Sequence, residues 1–308
     1  MRVVDLFSGC GGLSLGFQKA GFDVVAAFDN WQPTIDIYSK NFGHPVINLD
    51  LSLEDAYKKI AEYGPEMIIG GPPCQDFSSA GKRDEDGGRG GLTISFAQIV
   101  SRLRPQFFVM ENVERITKTD KLDKTTRIFL ENRYGLSQMV FDASRCGVPQ
   151  LRKRFIMVGE LDGRENALMP YFQKNLARRQ MTVRDYVGNV WGIDHYYRHP
   201  RNYSRRAIYS LDEPSATIRG VNRPIPSGYP GHPLDSTTVS EKLRPLTTYE
   251  RAQLQTFPTD FIFEGNKTTV EQIIGNAVPV NLAKYVANCL NDYLRDKKNG
   301  KDINNSLL

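Results

Sequence analysis

The sequence predicts an α/β fold, a parallel sheet covered by helices on both faces, together with a second, smaller domain of irregular structure. Three observations point there. Short apolar runs alternate with helix-like stretches over the first 160 residues, and glycines cluster where the first run gives way to the first helix. From about residue 161 the alternation fails and prolines and tyrosines accumulate. Alternating strands and helices are the pattern of parallel sheets, whose crossovers are helical. With 308 residues the chain is long enough for two domains or one elaborated one.

In chain order, the predicted strands are Val3–Phe7, Val24–Phe28, Met67–Gly70, Phe107–Met110, Gln138–Asp142 and Phe155–Val158. Between them the pattern predicts helices over Leu13–Ala20, Pro33–Asn41, Leu53–Tyr63, Ile94–Leu103 and Leu122–Tyr134. The stretch Arg223-Pro224-Ile225-Pro226-Ser227-Gly228-Tyr229-Pro230 suits loops and short strands, because proline lacks the N–H that a helix uses. Helical patterning returns from about residue 244 and ends in Val280–Leu294; residues 296–308 read as a polar, disordered tail. The expected domains are therefore 1–160, 161–243, and a segment 244–295 that returns to the first.

Composition excludes several classes. Hydrophobic residues form 40% of the chain and charged residues 24%, as in ordinary soluble globular proteins. No apolar run approaches the about eighteen residues of a membrane span, and the first residues enter a strand-like run without the regions of a signal peptide. Cys10, Cys74, Cys146 and Cys289 lie far apart with no CxxC pair. Neither a disulfide framework nor a metal site is expected, and a reduced cytoplasm is the expected compartment. The net charge is +5. Residues 161–243 carry 12 Lys/Arg against 8 Asp/Glu, and 7 of the 14 tyrosines and 7 of the 17 prolines. Such basic, aromatic, loop-rich texture suits a surface that meets phosphates and bases, although a solvated subdomain would read the same way.

Asp5-Leu6-Phe7-Ser8-Gly9-Cys10-Gly11-Gly12-Leu13 sets Gly9, Gly11 and Gly12 where the first strand turns into the first helix. Glycine permits positive φ there and close approach of a ligand to the backbone. The dinucleotide pattern GxGxxG is not completed, since position 14 is Ser14. Asp29, at the end of the second strand, is placed to accept ribose hydroxyls, and Asp50, after Val46-Ile47-Asn48-Leu49, an adenine edge. Glycine turn plus acid points to a nucleoside-containing cofactor.

Met67-Ile68-Ile69-Gly70-Gly71-Pro72-Pro73-Cys74-Gln75 puts a cysteine just past the carboxyl end of a strand, the edge where open parallel sheets bind ligands. Two prolines force the chain out of the sheet and hold the thiol in one direction, as a nucleophile requires. A second strand ends in Glu111-Asn112-Val113, so Glu111 is expected to face Cys74.

These blocks resemble the motifs of the DNA (cytosine-5)-methyltransferases of bacterial restriction-modification systems. The resemblance continues through Gly147-Val148-Pro149-Gln150-Leu151-Arg152-Lys153-Arg154, then Arg244-Pro245-Leu246-Thr247 with Glu250 and Leu254-Gln255-Thr256-Phe257-Pro258. It closes at Gly275-Asn276-Ala277-Val278-Pro279, with all blocks in the family's order. The resemblance implies an S-adenosylmethionine-dependent methyltransferase fold, a Rossmann-like sheet with a smaller target-recognition domain over about 161–243. It also implies chemistry. Cys74 adds to C6 of a flipped cytosine, Glu111 protonates or hydrogen-bonds ring N3, and Arg154, with Arg152 nearby, holds O2. An acid in that role needs its pKa raised by desolvation.

By the same resemblance, S-adenosylmethionine lies over Phe7, Gly9, Gly11, Gly12 and Leu13. Asp29 and Asn30 take the ribose side, Asp50 and Leu51 the adenine, and Pro73, Asn276 and Val278 complete the cofactor residues. Many members carry Glu where this chain has Asp29, and an aromatic where it has Asn30, with Trp31 one residue on. Ala277 stands where several have Ser. Gln75, Ser78, Lys82 and Arg89 fall in the glycine-rich segment that members close over DNA. Thr217, Arg219, Arg223 and Tyr229 are the expected target-recognition contacts.

The partner implied is double-stranded DNA, methylated by a monomer, with a restriction endonuclease acting separately. A tRNA-methylating branch of the family is one alternative and a catalytically silent DNA-binding relative another. A nicotinamide-dependent dehydrogenase would require GxGxxG and has no use for Pro72-Pro73-Cys74.

Overall fold

A computed structural model describes residues 1–73, 91–202 and 204–300. Its chain divides into two compact units. One comprises residues 1–141, 153–176 and 283–308, the other 142–152 and 177–282.

The first unit is built on a sheet of seven strands, β1 (Arg2–Leu6), β2 (Asp23–Asp29), β3 (Val46–Asn48), β4 (Met67–Gly70), β5 (Phe107–Val113), β6 (Tyr134–Asp142) and β8 (Lys153–Leu161). Their spatial order is β3-β2-β1-β4-β5-β8-β6. β1 pairs in parallel with β2 and β4, β2 with β3, and β4 with β5. The order reverses at β1, so the carboxyl ends of β1, β2, β4 and β5 border a switch point, where such sheets open a ligand crevice. Helices α1 (Gly12–Lys19), α2 (Gln32–Asn41), α3 (Ala56–Ala61), α4 (Leu92–Leu103), α5 (Asp120–Glu131) and α6 (Met169–Lys174) punctuate the strands.

The sheet is not purely parallel, because β8 runs antiparallel to β5. A parallel neighbour needs a crossover of about a dozen residues, usually helical. β8 follows β6 after only residues 143–152, which hold no such helix. β3 and the two-residue strand β7 (Gln150–Leu151) are additional to the expected strands. The helix expected over Leu122–Tyr134 stops at Glu131, where Arg133 takes a left-handed φ of 68° and Tyr134 opens β6. At the other end of the chain, α10 (Val280–Lys298) carries on past Leu294. Its Tyr293 hydroxyl donates to Glu160 Oε2 at 2.6 Å and Lys297 pairs with Glu160 Oε1, so the last turns are tied to β8.

Strand residues are apolar on both faces, as a doubly covered sheet demands. Val4, Leu6, Ile68, Phe108 and Met110 are buried with Phe96 of α4 and Phe129 of α5. Phe108 and Phe129 stack with ring centroids 4.0 Å apart. Each fully buried side chain of this size contributes roughly 1.5–3 kcal/mol.

The second unit has little regular structure. It contains β7 and β11 (Ser215–Ala216), which pair in parallel, and the antiparallel pair β9 (His195–Tyr197) and β10 (Ile208–Ser210). Its helices are α7 (Val183–Val187), α8 (Thr248–Leu254) and α9 (Lys267–Asn276). Tyr197, Ala207, Ile208 and Leu243 form a small core against which Tyr229 packs. Thr182 and Thr247 begin α7 and α8 with reciprocal capping boxes to Asp185 and Glu250.

Candidate active site

Beyond β1 the chain turns sharply. Phe7 has φ 57°, Gly9 54° and Gly11 93°, and α1 starts at Gly12 with Leu13 buried behind it. The two left-handed glycines serve different neighbours. A Cβ on Gly9 would meet no heavy atom within 4 Å, whereas one on Gly11 would strike the Phe42 ring and come within 2.9 Å of Tyr38. Gly11 therefore lets α2 pack close, and Gly9 leaves one side of the turn open. Ser8 Oγ, buried beside it, has no hydrogen-bond partner among the described residues.

No side chain within the turn caps α1. Asp5 does so from β1: its Oδ2 accepts the Ser14 N–H at 3.2 Å and the Ser14 hydroxyl at 2.6 Å. The Tyr38 hydroxyl donates to Ser14 Oγ at 2.6 Å, and His44 Nε2 lies 2.7 Å from the Tyr38 hydroxyl. Burial pushes the Asp5 carboxyl up to about 7 against the pull of its Ser14 hydrogen bonds, with Asp29 adding a smaller upward push.

Asp29, the last residue of β2, laces the turn to α2. Oδ2 accepts Gly9 N–H at 2.8 Å, and Oδ1 accepts Trp31 N–H at 2.9 Å and the Thr34 hydroxyl at 3.1 Å. Leu49 N–H donates to the Asp29 carbonyl at 3.0 Å, which brings the segment carrying Asp50 alongside. Asp50 is exposed and its Oδ1 accepts the N–H and hydroxyl of Ser52; Leu51 is buried and Asn30 exposed.

The neighbouring strand ends hold the charged pair. Gly70 lies opposite Met110, which brings Gly71 level with Glu111, and a Cβ on Gly71 would stand 3.2 Å from Glu111 Oε2. Arg154 of β8 is registered against Val113, two residues along from Glu111. Its Nε contacts Glu111 Oε1 at 2.7 Å, with only 12% and 10% of the two side chains exposed. Its Nη1 donates to the Lys153 carbonyl at 2.7 Å. Burial lowers the Arg154 pKa while Glu111 opposes that shift. One residue past Glu111, buried Asn112 donates through Nδ2 to the Pro72 carbonyl at 3.0 Å. Pro73 is half-buried. Cys74, Gln75, Ser78, Lys82 and Arg89 lie outside the described residues.

Residues of the second unit have distinct surroundings. Arg152 is 1% exposed and donates to three main-chain carbonyls, Ile218 at 3.1 Å and Gly275 and Ala277 at 3.0 Å each. Gln255, fully buried, donates to the carbonyls of Ile274 and Ala277, and Gln150 Nε2 donates to Gln255 Oε1 at 2.9 Å. Around that framework Asn276 is exposed and Val278 half-buried. Thr217 donates to the Leu151 carbonyl at 2.5 Å, and Tyr229 to Asp235 Oδ2 at 2.5 Å. Arg219 donates to the His199 carbonyl at 2.6 Å, and Arg223 is exposed.

Thus Phe7, Gly9, Asp29, Pro73, Glu111 and Arg154 all belong to the first unit, whereas Arg152, Asn276 and Val278 belong to the second. Sequence pattern alone gives no role to Asp5, Ser14, Asn112, Gln150 or Gln255. Asn112, Gln150 and Gln255 do stand within the family's motif blocks, a usable signal. Asp5 and Ser14 are nine residues apart and meet only because strand and helix pack. Among the described residues no helix is long and apolar enough to cross a membrane, and no group of His, Cys, Asp and Glu is arranged to hold a metal ion.

The model of the C-5 cytosine-specific DNA methylases matches residues 1–292. A type II methyltransferase of Haemophilus influenzae, M.HindV, is 56% identical over 96% of this chain and 98% of its own. A second, M.HgiDI of Herpetosiphon aurantiacus, is 54% identical over 97% and 96%. Among solved structures, a DNA modification methyltransferase encoded within an E. coli prophage superposes with a TM-score of 0.69 at 24% identity, covering 96% of this chain and 99% of that one. The S. pombe Dnmt2 methyltransferase gives 0.70 at 18% identity, covering 95% and 99%. At these identities the two structures bear on the fold alone.

Proposed function

The chain belongs to the C-5 cytosine-specific DNA methylase family, and from that premise we propose a sequence-specific DNA (cytosine-5)-methyltransferase that moves a methyl group from S-adenosylmethionine to C5 of a flipped cytosine. The observation that carries this reading is the buried Glu111–Arg154 ion pair beside Gly71, on the strand that leads into Pro72-Pro73-Cys74.

Cytosine C5 is a poor nucleophile, so the ring must first be activated. Cys74 adds as thiolate to C6, and the electron pair displaced from the ring makes C5 an enamine carbon. Glu111, once it has taken up a proton on Oε2, the oxygen toward Gly71, donates a hydrogen bond to ring N3. Arg154 has Nε on Glu111 and Nη1 on the Lys153 carbonyl, so Nη2 is the nitrogen assigned to the cytosine O2. Held through both Nε and Nη1, the Arg154 guanidinium presents its remaining nitrogen in one orientation, the preorganisation that electrostatic catalysis needs. After methyl transfer, loss of the C5 proton expels the Cys74 thiolate. A target inside a duplex is out of reach of these groups, so the base is flipped at a cost of a few kcal/mol.

S-adenosylmethionine supplies an electrophilic methyl group when bound. The turn fits such a molecule: Gly9 is open on one side, Ser8 Oγ is buried without a partner among the described residues, and Asp29 Oδ2 accepts one hydrogen bond from Gly9. Phe7, Gly9, Gly11, Gly12 and Leu13 would hold it with Asp29 and Asn30 at the ribose, Asp50 and Leu51 at the adenine, and Pro73 beyond; the motif resemblance alone proposes Asn276 and Val278 as further cofactor residues. Arg152 is proposed to act within the second unit, holding the carbonyls of Ile218, Gly275 and Ala277 in place. Residues 161–243 would read the target, with a monomer acting in the cytoplasm and a restriction endonuclease acting separately.

Bisulfite sequencing of duplex DNA incubated with the protein and S-adenosylmethionine tests the reading, with Cys74→Ala beside it. Protection of cytosines in one short motif, lost in the variant, is expected. Methyl transfer to tRNA with none to DNA overturns the substrate assignment, and transfer to neither overturns the enzyme.

A further inference from the structure

Several arginines of the second unit are paired with carboxylates: Arg179 with Asp185, Arg184 with Asp194 and Asp212, Arg206 with Glu213, and Arg244 with Glu250. Among those with no carboxylate partner in the described residues, five, Arg198, Arg201, Arg205, Arg219 and Arg223, are gathered in one place. Arg198, Arg201 and Arg205 each act electrostatically on Arg219, while Arg219 and Arg223 both act on His199. Charge repulsion at this density costs stability, and neutralising carboxylates are plentiful elsewhere in the unit. Leaving these five guanidinium groups uncompensated is the arrangement of a site whose counter-charge comes from a ligand.

The cluster is built, not a chance crowd of side chains. Arg198, just after β9, donates through Nη2 to the Thr217 carbonyl at 2.7 Å. Arg219 returns the bond, donating through Nη2 to the His199 carbonyl at 2.6 Å. Two chain segments are thereby cross-tied by two half-buried guanidinium groups. Each such group has five N–H donors, so a single carbonyl bond leaves most of them for another acceptor. Arg201, Arg205 and Arg223 are exposed, the first two within electrostatic reach of Arg219 and the third of His199. Burial, with the charges of Arg198, Arg201 and Arg205, pulls Arg219 down to about 10, still cationic at neutral pH.

We propose that Arg198, Arg201, Arg205, Arg219 and Arg223 form a phosphate-binding cradle for the backbone of duplex DNA, with Arg198 and Arg219 as its fixed floor and the exposed three as its rim. The proposal rests on the DNA-methyltransferase reading and deepens it: Arg219 and Arg223 grip phosphates rather than read bases. Backbone contacts set register and orientation on a duplex but carry no sequence information.

The test is fluorescence anisotropy of the full-length chain on a duplex of about 30 base pairs, across a salt series, with Arg201→Gln/Arg205→Gln/Arg223→Gln and separately Arg198→Lys. Every phosphate that an arginine neutralises steepens the dependence of log K on log salt by about 0.9. The triple variant should therefore lose two to three units of slope and tenfold or more in affinity, equally on target and scrambled duplexes. Arg198→Lys keeps the charge and serves as the fold-preserving comparison, with a smaller affinity loss and an unchanged slope. Unchanged slope and affinity in the triple variant, with the native chain binding and methylating DNA, overturns the cradle and leaves the function standing. A loss confined to one sequence makes these residues base readers and also overturns it. A native chain that binds no duplex overturns both.

Discussion

The Asn112 side chain donates to the Pro72 carbonyl across 3.0 Å, joining the residue after Glu111 to the residue two before Cys74. Asn112 is 3% exposed, and its Oδ1 accepts the N–H of Val113, so the amide is oriented from both sides. The two strand ends are thus registered by a side chain beyond the last paired residue of β4.

Asn112→Ala should destabilise the protein by about 1–3 kcal/mol, since the Pro72 carbonyl is left buried without its donor. Methyl transfer should fall more than the loss of folded protein explains, with kcat affected before KM. Urea denaturation and single-turnover kinetics, read together, check both parts; an unchanged kcat in the folded variant would remove Asn112 from the positioning role.

Glu111→Gln leaves Arg154 buried without its carboxylate, a change that costs about 3 kcal/mol when a buried pair is broken from one side. Adding Arg154→Met should restore much of that stability, because the pair's charges are then both gone. Activity should stay lost in the double variant. Recovery of both stability and methyl transfer would mean that the pair is only structural.

Asp5 should leave a signature in the pH dependence of stability. Its folded pKa of about 7 lies above the ordinary 3.8, so the folded state holds the proton more tightly. The stability this contributes is complete below about pH 4 and is lost as pH rises through 7. Asp5→Asn keeps an oxygen for Ser14 and removes the charge, so its Tm should gain on that of the native chain from pH 5 to 8. The comparison rests on slopes, because Oδ1 has no partner among the described residues and the amide brings its own constant cost. Parallel Tm curves would overturn the assignment.

Arg152→Met should act on folding rather than on chemistry. Three main-chain carbonyls lose a charged donor, each such bond contributing about 1.5–3 kcal/mol. Reduced cooperativity or a lowered denaturation midpoint is expected, whereas a fully stable variant with abolished kcat would return Arg152 to direct contact with the base.

What local chemistry governs was legible in the sequence. The apolar runs of β1, β4 and β5, the glycine turn, the double proline and the strand-end carboxylate are each determined by a few adjacent residues, and the family follows from those blocks in order. Tertiary structure decided which atoms meet. Arg152 and Arg154 stand in one motif, Arg154 expected at the cytosine O2 and Arg152 nearby, yet with one residue between them Arg152 is buried against carbonyls and Arg154 pairs with Glu111. The direction of β8 depended on the absence of a crossover, and the end of α5 on a single left-handed Arg133. The reciprocal ties of Arg198 and Arg219 join residues about twenty apart through carbonyls, which every residue has and no sequence pattern marks. Side-chain type is written in the chain; the partner of a buried polar group is settled only when packing has removed water as the alternative.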